Sequence, residues 1–209
     1  MADVVYVPFL NYLRIATAAH ARMVDYIKEK GAACCSGDDF SETADGFASI
    51  VVIYTAISLE CYIHNYASRN LGEKYCKTHV DSMGLHTKWL VVPRLVTGKS
   101  IPVDHKGIEL LQKLVKARND TVHLKAANLK LDHWDEQTTR IDEHNRRVLR
   151  AAMKAFRCVG LLGRELASLD PGEELAKLLA SFTESPDYSV EWVPDERDTD
   201  NGGGESGHR

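Results

Sequence analysis

GFASIVVIYTAISLECYIHNYAS, residues 46–68, is the stretch on which the fold turns. Across 23 residues it carries one formally charged side chain, Glu60. Its largely apolar part, residues 48–59, is too short to span a bilayer core of about 30 Å, and polar residues follow at once. The stretch therefore reads as a helix buried in protein, and no membrane partner is expected. Glu60 lies on the same helical stripe as Ile53 and Ile57, so it needs a neutralising neighbour.

Outward from this helix the chain keeps one character. Its six prolines leave residues 9–92 and 103–170 proline-free, and both stretches show helical rather than alternating periodicity. Pro8 suits the first position of a helix running to about residue 30, with Phe9, Leu13, Ala16, Met23 and Ile27 on one stripe. Residues 31–39 (GAACCSGDD) form a connector, and their aspartates with Ser41 offer N-caps for a helix over about 40–69. Short helices are expected near 71–79 and 88–95, the second broken by Pro93 before a turn at 98–102. Asp104 can cap a helix over about 105–126. A long helix follows over about 133–169, its stripe running through Trp134, Ile141, Val148, Ala152, Ala155, Val159, Leu162 and Leu166. Asp170-Pro-Gly-Glu173 restarts a last helix, with Asp170 as cap and Pro171 at its first position. The expected fold class is all-α: an up-and-down bundle of four long helices plus short extra ones, in a single domain over residues 1–183.

Length and charge narrow the function classes. A chain of 209 residues allows one generous domain with tails. A net charge of −4, from 26 basic and 30 acidic residues, argues against a generic basic nucleic-acid binder. The charge is unevenly spread, however. Residues 184–209 hold eight acids against two arginines and end in NGGGESGHR, which reads as a disordered acidic tail. Without it the body carries 24 basic and 22 acidic residues. Two strips, residues 105–130 and 140–157, each hold six Lys or Arg against two acids. Either strip suits phosphate binding, and either suits an ordinary solvated helix face. The start MADVVYVPFL has no signal-peptide pattern, and five cysteines make no disulfide framework, so a cytoplasmic location is expected.

Residues 110–125 (LLQKLVKARNDTVHLK) carry the chemistry. On a helix Leu111, Val115, Arg118 and Val122 share a stripe, which assigns Arg118 to the interior. A guanidinium keeps its charge, so burial requires an anion or a wet cleft: Arg118 and Glu60 meet, or both face one polar pocket. That pair suits either a catalytic support or a purely structural ion pair. Asn119 and His123 are one turn apart, whereas Arg118 and His123 diverge by about 140°. A second copy of the helix packed across the first would bring the two groups together. His123 also suits a plain capping or surface role.

Arg118-Asn119-Asp-Thr-Val-His123 resembles the arginine, polar residue, spacer, histidine signature of the HEPN superfamily of helical bundles. The likeness extends over roughly residues 40–165. It includes an acid on an earlier helix, here Glu60, and the 88–99 segment ahead of the motif, as in uncharacterised bacterial members. The resemblance implies a metal-independent endoribonuclease that works as a homodimer, in bacterial defence or a toxin–antitoxin pair. RNA cleavage through the substrate's own 2′-hydroxyl needs only proton transfer and phosphate stabilisation, roles that suit histidine and a guanidinium. By this likeness Arg118 and His123 are catalytic, Asn119 and Glu60 support them, and Lys116 and Lys125 contact RNA. Toxic members often carry a tyrosine two residues after the histidine, which a nucleotidyltransferase antitoxin modifies in some pairs. Lys125 stands there instead. No cofactor is expected. A zinc site assembled from Cys34, Cys35, Cys76, His79, His64 and His86 lacks paired CxxC knuckles, and neither a phosphate-binding glycine loop nor a nucleophile elbow is seen. Cys61 and Cys158 read as small core residues, and Trp89, Trp134 and Tyr62 as core aromatics rather than base-stacking platforms. The alternative from another class is a non-catalytic helical adaptor that binds a nucleotide or a protein.

Overall fold

A computed structural model describes residues 8–30, 42–122 and 134–184. The described residues are all-helical: α1 (Pro8–Lys30), α2 (Glu42–Leu71), α3 (Glu73–His79), α4 (Leu85–Thr97), α5 (Lys106–Val122), α6 (Trp134–Leu169) and α7 (Glu174–Ala180), then a 3-10 turn at Ser181–Glu184. The 31–39 connector, the end of the motif and the acidic segment beyond residue 184 lie outside them.

The apolar helix α2 is the element against which the others pack. It touches α1, α3, α4, α5 and α6. Unlike its apolar stretch 48–59, the whole helix is by length and composition alone long and apolar enough to cross a membrane. Val51, Val52, Ile63, Tyr66 and Ala67 on it are fully buried by neighbouring helices. Every residue of the α1 stripe is buried, and Ser58 of α2 donates to the Phe9 carbonyl at 2.8 Å, fixing where α1 begins against α2. Tyr62 stacks on Trp89 of α4 at 5.7 Å and meets Phe9 edge-on at 5.1 Å, so three helices share one aromatic knot. Along α6, Val148, Ala152, Ala155, Val159, Leu162 and Leu166 are buried as the periodicity predicts. Ile141 is not; it is 51% exposed, because packing onto α6 starts only near Val148. The Trp134 side chain lies outside the described ones.

Three local expectations are corrected. Helix α4 runs straight through Pro93. The lost amide costs about 3 kcal/mol, and burial of Leu85, Trp89, Val92 and Pro93 on one face offsets it. The helix ends instead at Gly98, whose φ of 75° is the left-handed conformation glycine tolerates. Pro171 does not open the last helix either. The Asp170 carboxylate accepts from the Tyr66 hydroxyl at 2.8 Å rather than capping, the chain turns through Pro171 and Gly172, and Glu173 precedes α7. Glu173 is buried and takes both carboxylate bonds from Arg69 of α2, at 3.0 and 2.9 Å. The α6–α7 junction is then so close that a Cβ on Gly163 would stand 2.5 Å from the Ala180 nitrogen.

The third correction concerns Glu60. Its partner among the described residues is Lys88 of α4, Nζ to Oε1 3.0 Å, not Arg118. The buried member is the lysine, whose side chain is 5% exposed against 39% for the glutamate. Lys88 sits with Leu85, Trp89 and Val92 on the inward stripe of α4, and Glu60 lies where that ammonium reaches the surface. Removing one partner of a buried pair leaves a stranded charge, whereas removing both does not. Glu60→Ala is therefore expected to lower unfolding free energy by about 2 kcal/mol, and Glu60→Ala with Lys88→Met to recover most of it. Urea unfolding of the three proteins decides, and a double variant no more stable than Glu60→Ala would contradict the pairing.

His20 gives the fold a pH dependence. Its ring packs edge-on against Phe156 of α6 at 5.1 Å, and burial lowers its pKa from 6.5. Below that value the unfolded chain takes a proton there that the folded chain resists, so stability falls as pH drops through it. The loss in urea midpoint between pH 7.5 and 5.5 should be smaller in His20→Gln than in wild type. Equal losses would remove His20 as the cause.

Candidate anion-binding groove

Helices α5 and α6 meet tightly at one end, where Cys158 approaches the Gly107 carbonyl at 3.6 Å. Burial pushes the Cys158 thiol pKa far up, so it remains a packing group. Along the same seam a groove of about 280 Å³ has an apolar floor of Leu110, Leu114, Ala151 and Ala155. Its rim carries Lys113 and Lys116 from α5 and Arg147, Arg150 and Lys154 from α6. The helical period accounts for this: 147, 150, 151, 154, 155 and 158 fall on one side of α6. The two basic strips of the sequence thus face each other across one depression.

Two of the rim cations meet acids. Arg147 Nε lies 3.3 Å from Asp120 Oδ2, and Lys113 Nζ lies 3.3 Å from Glu109 Oε1. Among the described lining residues none is acidic. Such an arrangement suits a ligand with several negative charges and an apolar or planar body. Lys116 stands on a ridge, because it also lines a second cleft of about 340 Å³ with His86 of α4 and Gln112, Val115, Asn119 and Asp120 of α5.

The motif residues divide between these features. Asn119 and Lys116 line the second cleft together. Arg118 lines neither cleft and is half-buried rather than interior. Packing along the inward face of α5 runs through Ile108, Leu111, Leu114 and Ala117 and then stops, with Val122 already 52% exposed. Arg118 Nη1 donates to its neighbour Asn119 Oδ1 at 2.9 Å. Glu60 is held by Lys88, so it does not support Arg118. His123 and Lys125 lie outside the described residues.

Sequence reasoning did not single out Arg147, Arg150, Lys154 or His86 as site residues. The 140–157 strip is the signal for the first three; His86 enters the sequence reading only within the rejected zinc set, since α4 is expected to start after it. Among the described residues no group of three or more His, Cys, Asp or Glu is placed to hold a metal ion. Comparison with protein-family models, curated proteins and solved structures gives no match to the chain.

The rim cations are solvated and the floor is core, which separates binding from folding. Lys116→Gln, Arg150→Gln and Lys154→Gln combined should stay within about 1 kcal/mol of wild-type stability, whereas Leu114→Ala should cost about 2–5 kcal/mol. Urea denaturation compares them, and a triple variant as unstable as Leu114→Ala would make the rim structural.

Proposed function

We propose that the protein is a metal-independent endoribonuclease of HEPN type, built on an up-and-down bundle of the four long helices α1, α2, α5 and α6. The observation that carries the reading is the meeting of both basic strips in one groove beside the Arg118–Asn119 end of α5. Net negative charge is no obstacle, because phosphate contacts depend on local cations. In this reading Lys116, Arg150 and Lys154 hold the RNA backbone, with Lys125 extending that track. His123 takes the proton from the attacking 2′-hydroxyl as its bond to phosphorus forms, or, protonated, gives one to the 5′-oxygen as the P–O5′ bond breaks. The Arg118 guanidinium, oriented by Asn119, stabilises the charge on the pentavalent phosphorus. A homodimer supplies the second copy that the divergence of Arg118 and His123 demands. An antitoxin or nucleotidyltransferase partner and a cytoplasmic site of action belong to the same reading, although Lys125 removes the tyrosine such a transferase modifies.

The adaptor reading gains one specific observation: Arg118 lines neither cleft, and Glu60 is committed to Lys88. There the groove binds an anionic ligand or partner and no bond is cut. Labelled tRNA and mRNA incubated in EDTA with rigorously purified protein separate the two. Cleavage by wild type and its loss in His123→Ala, with helicity and dimerisation intact, supports the nuclease. Cleavage retained in His123→Ala overturns its assignment; binding without cleavage by wild type selects the adaptor. In either case the Lys116→Gln, Arg150→Gln, Lys154→Gln variant should weaken RNA binding and flatten its logarithmic salt dependence by about 2, at about 0.7 per lost phosphate contact on a single strand.

A further inference from the structure

We propose that residues 185–209 of the chain dock in the α5/α6 groove and occupy it until a competing polyanion displaces them. The proposal stands on the groove and does not rest on the ribonuclease reading. Charge is the first support. Residues 185–209 carry seven acids and two arginines, a net −5, opposite in sign to a rim of five cations, of which Lys113 and Arg147 already meet Glu109 and Asp120. Composition is the second. Tyr188, Val190, Trp192 and Val193 are interleaved with Asp187, Glu191, Asp195 and Glu196, so apolar groups can rest on Leu110, Leu114, Ala151 and Ala155 while the carboxylates reach the rim.

Reach is the third support. Phe182, just before the segment, stacks on Phe156 of α6 at 5.9 Å. Phe156 lies about 180° around α6 from Arg147, at the level of Lys154 and Ala155. The path around a helix about 10–12 Å across is on the order of 15–20 Å. At no more than about 3.3–3.6 Å per residue, residues 185–209 can extend well beyond that distance. The groove is thus within their reach, and a tether of this kind gives an effective concentration on the order of millimolar. A weak contact is enough to fill the groove from the same chain before a second copy does so.

Zero-length carbodiimide cross-linking of the full chain, read by mass spectrometry, tests the contact directly. Amides between Lys113, Lys116 or Lys154 and Asp187, Glu191, Asp195 or Glu196 are expected, within single chains of a mixture of isotopically light and heavy protein. Cross-links spread equally to Lys74 and Lys177, or light–heavy products making up the half of the total that random pairing of an equal mixture gives, overturn docking from the same chain. Heparin-column elution supplies a second readout. Asp187→Asn, Glu191→Gln, Asp195→Asn and Glu196→Gln combined should raise the eluting salt concentration. That gain should vanish when Lys116→Gln, Arg150→Gln and Lys154→Gln are also present. A gain that persists there reflects bulk charge alone and sinks the proposal. Neither readout involves RNA, so a failed ribonuclease assay leaves both results interpretable.

Discussion

Helix α2 must hide an apolar face about half its circumference wide, from Val51 and Val52 through Ala56, Leu59 and Ile63 to Tyr66 and Ala67. No single neighbouring helix can cover so much surface. Among the described residues α1, α3, α4, α5 and α6 pack on α2, and their placement follows from that need. α1 takes one flank, with Ser58 bonded to the Phe9 carbonyl. α4 brings Trp89 onto Tyr62, and the turn before α7 is tied down by Tyr66 and Arg69. Both polar ties use residues near the end of α2, where the chain must leave the core and its carboxylates can be met.

The Lys88–Glu60 pair shows how charge is admitted to this interior. Burying a lysine is costly unless its ammonium reaches an anion, and a long apolar stem lets the charge sit at the boundary while the methylenes pack. Glu60 faces that boundary, which explains why a glutamate is tolerated on an otherwise uncharged stretch. It also relieves Arg118 of any need for an internal partner. At the end of α5, beyond Ala117, the apolar packing is exhausted, and the guanidinium turns to Asn119 beside it.

Much of this was legible because the 3.6-residue period reports burial face directly. The α1 stripe and the buried half of α6 follow from it residue by residue. Periodicity does not report which helix faces which. Glu60 and Arg118 each read as inward charges and so as natural partners, but the lysine that claims Glu60 stands on α4, on a stripe whose apolar members concealed it. Pro93 misled for a related reason: local rules price a missing hydrogen bond, while the compensating burial of Trp89 and Val92 is a tertiary fact. Asp170 reads as a cap until Tyr66 is brought to its carboxylate from 104 positions away in the chain.

The groove illustrates the same limit for function. Either basic strip alone is indistinguishable from a solvated helix face, because a helix always exposes one side and charges always suit water. Their meaning comes from being set opposite each other over Leu110, Leu114, Ala151 and Ala155. Overall charge then becomes a poor guide. A chain of net −4 presents a concentrated positive surface, because residues 184–209 hold eight acids against two arginines while the rest of the chain holds 24 basic and 22 acidic residues. Like charges held together on a rim repel one another, so a polyanion that enters relieves that repulsion as well as making its own contacts. Competition for the groove therefore follows from its electrostatics, whichever anion, the chain's own acidic segment or an external one, occupies it at a given moment.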